Sequence, residues 1–504
     1  MIARKSALII VIQLLNGLLG YIGLKFISLY MDPWEYGIIG FAYGFVSLFA
    51  ILGSLGFDQA HIKRVSEGKD LGTCIGTFAS IKFVLIGFVL IFTLLSIFIW
   101  KNVLGRGFET SLHEPAIYLL LVYFILHIIT TIMTSTFNAR KEISKTQIPL
   151  FLYNFIRILA TIYIALNGLG VIALATTYLI GEIFNIIFVV YLFRNYPIKK
   201  PSIIIYKDYY NFAVHMAIVV VAYKIITNID KVFIQLFWSS QQVGEYFAIF
   251  NLSQFIILFS SAISALLLPT VSAHHVKNNI KEIKNLVLKS ERYLSMIVFP
   301  IIILLIVLAE PIIHILLSDK YLTALPILQI LPVFVILAVL SSPYQSKFQG
   351  MNKPQYARNR VIIMVIINIV LNILFIPRDI QSIGLKLLGL GAKGAAIATV
   401  LSYLAGFIYI RIVSWKKTQI KGNVCVIYHG ITAITCGGIV SVISRAISIS
   451  RWYELLAITI VGLGLYFIIL FLIKEFKKED FNLFIDVLNI KKMLKYMREE
   501  FRNE

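Results

Sequence analysis

The chain is dominated by long runs of apolar residues that short polar stretches interrupt. A helix needs about 20 apolar residues to cross the ~30 Å hydrocarbon core of a bilayer. Runs of about this length recur fourteen times, at about 6–30, 37–57, 73–100, 116–137, 147–166, 171–193, 210–237, 244–270, 294–317, 325–346, 361–376, 391–414, 425–448 and 454–473. The pattern predicts an all-α integral membrane protein with about 14 transmembrane helices.

Composition agrees with this prediction, because 59% of the residues are hydrophobic and only 14% are charged. The net charge of +21 could indicate a nucleic-acid partner, but it follows the loops. Most basic residues lie in the loops of one side and in the C-terminal tail. The loops of the other side hold six: Lys101, Arg106, Lys320, Arg378, Lys386 and Arg451. This bias predicts a multi-pass protein of the cell membrane with both termini in the cytoplasm, and no nucleic-acid partner.

An internal repeat predicts how the spans are grouped. ISLYMDPWEYG at 27–37 aligns with IQLFWSSQQVG at 234–244 at a constant offset of 207 residues, which pairs Gly37 with Gly244. GLGVIALATTYL, which opens the sixth span, resembles GAKGAAIATVLSY, which opens the twelfth. Parallel repeats of this kind are typical of transporters that bind substrate between their halves.

The repeat predicts four parts of the chain. Residues 1–200 form an N-terminal lobe of six helices, and residues 201–415 form a second lobe that pseudo-twofold symmetry relates to the first. Residues 416–473 add two helices. Residues 474–504 form a cytoplasmic amphipathic tail, which we expect to lie on membrane lipids.

These motifs resemble those of a known family. MDPWEYG at 31–37, its repeat WSSQQVGEY, the NIDKVFI segment at 228–234 and GAKGAAIATVLSYL at 391–404 are similar to motifs of the multidrug/oligosaccharidyl-lipid/polysaccharide (MOP) exporter superfamily, within it the Wzx-like polysaccharide flippases. The resemblance implies a two-lobed transporter that turns over a lipid-linked oligosaccharide from the cytoplasmic to the outer leaflet.

Polar residues inside the seventh span are the main candidates for substrate binding. Lys224, Asn228 and Lys231 follow helical spacing and share one stripe. A charge near the centre of a bilayer costs at least about 2.5 kcal/mol unless a partner or water receives it. Lys224 lies near the middle of the span, too far from either interface to reach it. We expect it to face an aqueous cavity and to attract the phosphate or pyrophosphate of the lipid carrier.

Other polar residues have two interpretations each. Lys25 and Lys231 lie near span ends, where a lysine can extend to the interface or line the cavity. Lys82, in the third span, could do the same. Asn16 belongs to a stripe of small and polar residues on the first span, which fits sugar contact or close helix packing. All of them are candidate cavity residues.

A structural ion pair is predicted between Arg157 and Glu182. Spans five and six form a hairpin, and the two charges lie at a similar distance from its turn. Pairing would relieve the cost of burying each charge. We therefore expect Arg157 and Glu182 to stabilise the first lobe.

A cation site is a further hypothesis. Asp230, Asn368, Asn372 and Thr399 lie on three spans and offer the oxygen ligands that a hard cation such as Na⁺ prefers. The resemblance to the lipid II flippases of the superfamily supports the idea, although this chain has Asn where they have a second carboxylate. Interhelical hydrogen bonding is the competing interpretation. Na⁺ or H⁺ would then be the coupling ion, and no other cofactor or metal is expected.

Two rival functions remain open. A multidrug antiporter of the same superfamily would need acidic residues in its cavity, whereas the seventh span carries more Lys than Asp. A membrane-embedded glycosyltransferase or polymerase would need catalytic carboxylates, and the loops contain no DxD. The sequence also contains no Walker A, HExxH or GxSxG motif. We therefore predict a transporter and no enzyme, with enzymes of glycan assembly as its potential partners.

Overall fold

The computed structural model describes residues 2–103, 105, 107–254, 256–380, 385–447, 449–477 and 480. It describes the side chains of the same residues except 2–10, 215, 258, 259, 261–266, 269, 380 and 385. Most of the predicted amphipathic tail lies outside these residues.

Almost all the described residues are helical. The α-helices are α1 (Ile2–Tyr30), α2 (Pro33–Ala50), α3 (Phe57–Ser66), α4 (Leu71–Phe98), α5 (His113–Ala139), α6 (Ser144–Leu166), α7 (Gly170–Phe193), α8 (Ile203–Phe237), α9 (Ser240–Gln254), α10 (Ile257–Val276), α11 (Ile280–Val307), α12 (Ala309–Ile312), α13 (Leu325–Ile330), α14 (Val333–Gly350), α15 (Gln355–Phe375), α16 (Gly391–Thr418), α17 (Cys425–Ala446) and α18 (Trp452–Leu472). Short 3₁₀ segments cover Ile51–Gly53 and Asp319–Ala324, and π-helical segments cover Ile99–Val103 and Ile313–Leu317. Between α15 and α16, the two-residue strands β1 (Asp379–Ile380) and β2 (Leu385–Lys386) pair antiparallel.

The prediction of an all-α membrane protein is confirmed. Among the described residues, 12 helical segments are long and apolar enough to cross a bilayer, and α8, which bends by 50°, makes 13. The eighth predicted span is covered by α9 and α10 together. The prediction of about fourteen spans therefore depends on whether these two helices act as one.

The sequences explain how α2, α7 and α16 begin. At the start of α2, the backbone N–H of Asp32 donates to the Glu35 carboxylate at 2.8 Å, and Pro33 occupies the first helical turn. Gly170 opens α7 with φ +78°, and Gly391 opens α16 with φ +56°. Both glycines adopt the left-handed backbone that residues with a Cβ avoid. The second pair of similar motifs therefore begins a helix in the same way in both halves of the chain.

One compact unit comprises residues 14–248 and 368–395. Within it, α2 is mostly buried and packs against α5, α7 and α8. A hydrophobic cluster that includes Cys74, Phe78, Ile132 and Tyr209 joins α3, α4, α5 and α8. The unit is therefore built around α2, the helix that follows the first repeated turn.

The other compact unit comprises residues 1–13, 249–367 and 396–504. Its core includes a cluster of Val287, Tyr344, Phe348, Ile410 and Ile420. Beside this cluster, Glu291 is fully buried and accepts hydrogen bonds from Arg411, from the Tyr344 hydroxyl at 2.7 Å and from the backbone of Asn423 at 2.8 Å. This carboxylate is thus balanced by charge and hydrogen bonds, as burial requires. The division into lobes at residue 200 stays a prediction.

The outward faces of several helices are apolar. In α4, Phe83, Val84 and Ile91 are each at least 60% exposed, and α17 and α18 carry similar residues. Exposed apolar surface of this extent would be unfavourable in water. It fits helices that contact lipid, whose backbone hydrogen bonds are satisfied internally.

Candidate functional site

The polar stripe predicted on the seventh span lies on one face of α8. Lys231 is only 2% exposed, and its ammonium donates to the Asn228 side-chain oxygen at 2.9 Å. The ammonium lies 5.2 Å from the centre of the Phe247 ring and 6.0 Å from that of Tyr43. Lys231 therefore packs into the protein interior among aromatic rings, which offer a cation favourable contacts.

This face of α8 is directed toward α2. A Cβ placed on Gly44 of α2 would lie 3.2 Å from the Lys231 Cβ and 3.4 Å from the Asn228 carbonyl oxygen. Lys224 lies seven residues before Lys231, and two turns of helix return a side chain to nearly the same face. Lys224 is exposed, and its ammonium makes no ion pair or hydrogen bond with any residue that the structure describes. It is thus available to an anionic ligand on this face.

The candidates on α1, Asn16 and Lys25, belong to the same compact unit as the α8 stripe. A Cβ on Gly23 would meet the side chain of Ile158 in α6 at 2.5 Å, so this face of α1 packs on α6. Asn16 lies seven residues before Gly23 and shares that face. Its side-chain oxygen is buried and has no hydrogen-bond partner among the described residues. Lys25 is half-buried.

Lys82 requires a correction. Its side chain is 1% exposed, and its ammonium forms an ion pair with Asp58 at 2.6 Å and a hydrogen bond with the Gly53 carbonyl oxygen at 2.7 Å. Asp58 lies on α3, which the apolar pattern did not identify. The charge is already neutralised, so we assign Lys82 to a structural ion pair and leave it out of the candidate site.

The predicted ion pair between Arg157 and Glu182 is not formed. Glu182 accepts hydrogen bonds from Thr130 at 2.7 Å and Asn185 at 3.2 Å, and it lies 3.4 Å from the His127 ring nitrogen. The Arg157 guanidinium instead lies 4.8 Å from the centre of the Tyr178 ring. Both residues lie at a similar distance from the hairpin turn, so the sequence predicted that their charges share one depth. It did not predict the side of the helix from which each side chain projects.

The predicted cation ligands are partly brought together. The Asp230 carboxylate accepts from Asn372 at 2.6 Å and from the Tyr246 hydroxyl at 2.5 Å, and Asn372 also donates to Asn368 at 3.1 Å. The Asn372 side-chain oxygen is buried and has no hydrogen-bond partner among the described residues. A carboxylate beside such an oxygen fits a hard cation. Thr399 belongs to the other unit.

Sequence reasoning missed a carboxylate that binds the start of α9. Glu109 accepts from the backbone N–H and hydroxyl of Ser240, at 2.7 and 2.6 Å, and from Gln235 at 3.0 Å. Burial acts to raise the pKa of Glu109, but these hydrogen bonds outweigh it and hold the pKa below its usual value. An anion at a helix N-terminus is stabilising. A polar loop residue gives no periodic signal, so only the fold reveals this contact.

The fold and the site together define a class of protein, a multi-span membrane transporter with cationic residues inside its spans. Residues 30–326, more than half of the chain, match the polysaccharide biosynthesis protein family, and the chain belongs to this family. The predicted resemblance to polysaccharide flippases is thereby confirmed at the level of this family.

Individual relatives agree with this assignment. The chain is 22% identical over 406 residues to the probable low-salt glycan biosynthesis flippase Agl15 of Haloferax volcanii, which covers 80% of this chain and 81% of that protein. The fold is similar to that of the lipid II flippase MurJ in an inward closed conformation, with a TM-score of 0.72, 16% identity and coverage of 91% of this chain and 96% of MurJ. It is also similar to an inward-facing multidrug resistance MATE family transporter of the MOP superfamily, with a TM-score of 0.62, 17% identity and coverage of 79% and 94%.

Proposed function

We propose that the protein moves a lipid-linked oligosaccharide, carried on a polyprenyl phosphate or pyrophosphate, from the cytoplasmic to the outer leaflet by alternating access. The sugar crosses in contact with polar helix faces while the lipid tail stays in the bilayer. The product would serve the synthesis of a surface polysaccharide or of a protein-linked glycan. Membership of the polysaccharide biosynthesis family and the probable glycan flippase Agl15 support this proposal.

The cationic face of α8 is the observation that carries the proposal. Lys224 and Lys231 place two ammonium groups on one face of a membrane-spanning helix, and the face is directed toward α2. Asp230, the nearest acidic residue in the sequence, is held by Asn372 and Tyr246. A positive face within the membrane attracts a phosphate-bearing ligand more strongly than an organic cation.

Reconstitution with a fluorescent lipid-linked oligosaccharide tests the function. We expect the protein to move the lipid between leaflets, measured as the fraction accessible to an external quencher, and Lys224→Ala to reduce the rate at least about tenfold through loss of a charged contact. Lys224→Arg keeps the charge and should retain most of the activity. Lys353→Ala, a loop substitution, serves as the control. Unchanged transport by the Lys224→Ala protein would remove Lys224 from the mechanism.

The rival functions predict different results in the same vesicles. A multidrug antiporter would move ethidium against a cation gradient, and a glycosyltransferase would lengthen the glycan. We propose that the protein moves the oligosaccharide without changing its covalent structure. Ethidium transport without oligosaccharide transport, or a glycan of increased mass, would contradict this assignment.

We also propose a location in the cell membrane with both termini in the cytoplasm, as the distribution of basic loop residues favours. Membrane lipids surround the helices, and glycan-assembly enzymes on the cytoplasmic side would supply the substrate. A cysteine at residue 417, which is exposed, in a background without the three native cysteines, should react with a membrane-impermeant maleimide only after cell lysis. A cysteine at residue 451 should react in intact cells.

A further inference from the structure

An arginine and several tyrosines meet inside the unit that contains α2. The Arg157 guanidinium of α6 lies 4.8 Å from the centre of the Tyr178 ring and 6.0 Å from that of Tyr153. The Tyr178 ring in turn lies 5.8 Å from Tyr43 and 5.6 Å from Tyr123. Helices α2, α5, α6 and α7 each contribute to this cluster, which we call the arginine–tyrosine cluster.

The guanidinium has unused hydrogen-bonding capacity. Its Nε is buried and unpaired, and none of its nitrogens forms an ion pair or hydrogen bond with a residue that the structure describes. Arginine carries five N–H donors in a rigid fork that fits an oxyanion such as phosphate or carboxylate. A cation inside a membrane protein is costly unless something compensates it. The tyrosine rings compensate it only in part, because cation–π contacts contribute about 0.5–2 kcal/mol.

The neighbouring carboxylates are occupied elsewhere. Glu182, beside the cluster on α7, accepts hydrogen bonds from Thr130 and Asn185, and its closest nitrogen from a basic side chain belongs to His127. Asp230, on α8, is held by Asn372 and Tyr246. Neither carboxylate neutralises Arg157, so the cluster keeps a positive charge.

The cluster is continuous with the cationic face of α8. Tyr43 lies between the two groups, because its ring is 5.8 Å from that of Tyr178 and 6.0 Å from the Lys231 ammonium. Arg157 and Tyr43 are both half-buried, whereas Tyr178 and Tyr153 are each 9% exposed. A ligand can therefore approach the cluster from the side of Arg157 and Tyr43.

We propose that Arg157, with Tyr43, Tyr153 and Tyr178, binds an oxyanion-bearing segment of the transported molecule. This inference rests on the proposed function and assigns a substrate contact to a residue outside the α8 face. The guanidinium fork receives the oxyanion, and the tyrosines contact the sugar through their rings and hydroxyls. The oxyanion comes either from the phosphate of the lipid carrier or from the carboxylate of an acidic sugar.

Equilibrium binding to the purified full chain tests the proposal without requiring transport. The probes are inorganic pyrophosphate for the carrier phosphate, digalacturonate for an acidic sugar and maltose as a neutral sugar. We expect one anionic probe to bind the wild-type protein and Arg157→Ala to raise its Kd at least about tenfold, since charged hydrogen bonds are lost. Arg157→Lys keeps the charge but not the guanidinium fork, so its Kd should lie between those of the wild type and of Arg157→Ala.

A matched control is available at the C-terminal end of α7. Arg194 lies 4.4 Å from the centre of the Tyr191 ring, but both residues are exposed at the end of the helix. Arg194→Ala removes the same group from a comparable cation–π contact and should leave the Kd unchanged. Tyr178→Phe keeps the ring that packs on Arg157, so it tests the hydroxyl if Arg157→Ala fails to fold.

The outcomes separate the possibilities. Arg157-dependent binding of pyrophosphate identifies the carrier phosphate, and Arg157-dependent binding of digalacturonate identifies an acidic sugar. The proposal is overturned if neither anion binds the wild-type protein at millimolar concentration, or if the Arg157 variants bind as the wild type does. If lipid movement fails in vesicles while anion binding still depends on Arg157, the proposed function is wrong and the anion site stands.

Discussion

At the scale of single residues, helical spacing predicted the direction of side chains better than their depth in the membrane did. Helical spacing placed Lys224 and Lys231 on one face of α8, and the contacts of Lys231 with Asn228 and Phe247 show where that face points. Spacing works here because both residues lie on one helix, whose geometry fixes their relative direction.

Predictions that needed two helices succeeded less often. Lys82 is neutralised by Asp58, which lies on the preceding helix α3, and Arg157 faces tyrosines while Glu182 faces His127. Depth in the membrane can be estimated from residue counts, but the rotation of one helix relative to another depends on packing. A single sequence does not contain that information.

The structural assignment of Lys82 can be tested against a cavity role. Asp58→Ala leaves the buried Lys82 ammonium uncompensated, so we expect a loss of about 3 kcal/mol in the free energy of unfolding. The double variant Asp58→Ala/Lys82→Met removes both charges and should recover most of that loss. Thermal unfolding in detergent measures both effects.

Transport assays complete this test. The double variant should move the lipid-linked oligosaccharide at nearly the wild-type rate, unlike the Lys224→Ala protein. If the double variant folded normally but lost transport, Lys82 would have to be returned to the list of substrate contacts.

At the scale of helices, the sequence repeat also identified a physical contact. Gly37 and Gly244 occupy equivalent positions, and the structure brings them together where α2 and α9 begin. A Cβ added to Gly37 would overlap the carbonyl oxygen of Ser240, and a Cβ added to Gly244 would overlap that of Pro33. Ser240 and Pro33 are themselves separated by the 207-residue offset. The contact is therefore symmetric, which alignment alone could not show.

This glycine contact should control opening of the protein at its outer side. In the proposed topology α2 and α9 begin on the outer side, so alternating access would require these ends to separate when substrate leaves. Gly37→Ala introduces a clash with backbone, which side-chain movement cannot relieve, and overpacking costs about 1–3 kcal/mol. We expect the variant to favour the open arrangement and to transport more slowly.

Cysteine labelling measures this shift. Val243 on α9 is fully buried, so a Val243→Cys reporter, in a background without native cysteines, should react slowly with maleimide. Gly37→Ala should speed its labelling at least about tenfold. Gly87→Ala is the matched control, because a Cβ at Gly87 meets nothing within 4 Å. Equal labelling in both variants would show that the contact does not hold the outer side closed.

At the scale of the whole molecule, the apolar runs predicted the fold class well. Thirteen of the fourteen predicted spans correspond to described membrane-length helical segments, because lipid requires long helices with satisfied backbones. The short helix α3 was not predicted, because its sequence FDQAHIKRVS is too short and too polar to form an apolar run. The division of the eighth span was not predicted either, because α9 and α10 lie within one apolar run.

The arrangement of α8 also suggests how an ion could drive transport. Asp230 contacts Asn372 and Tyr246, whereas the adjacent Lys231 faces Tyr43 and Phe247. An ion at Asp230 and an anionic substrate at Lys231 would therefore act on the same turn of one helix. The ion would change the affinity for the substrate, and the substrate would change the affinity for the ion by the same factor.

Imposed ion gradients test this coupling. We propose Na⁺ or H⁺ as the coupling ion, and we expect a gradient of one of them to accelerate lipid movement in vesicles severalfold. Asp230→Asn removes the charge that holds the ion but retains an oxygen and a similar volume, so it should abolish the acceleration while leaving gradient-independent movement. Lys224→Arg should keep the acceleration, since its change lies on the substrate face. A rate that responds to neither gradient, or a response that survives in Asp230→Asn, would separate Asp230 from energy coupling and leave it as an interhelical hydrogen-bond acceptor.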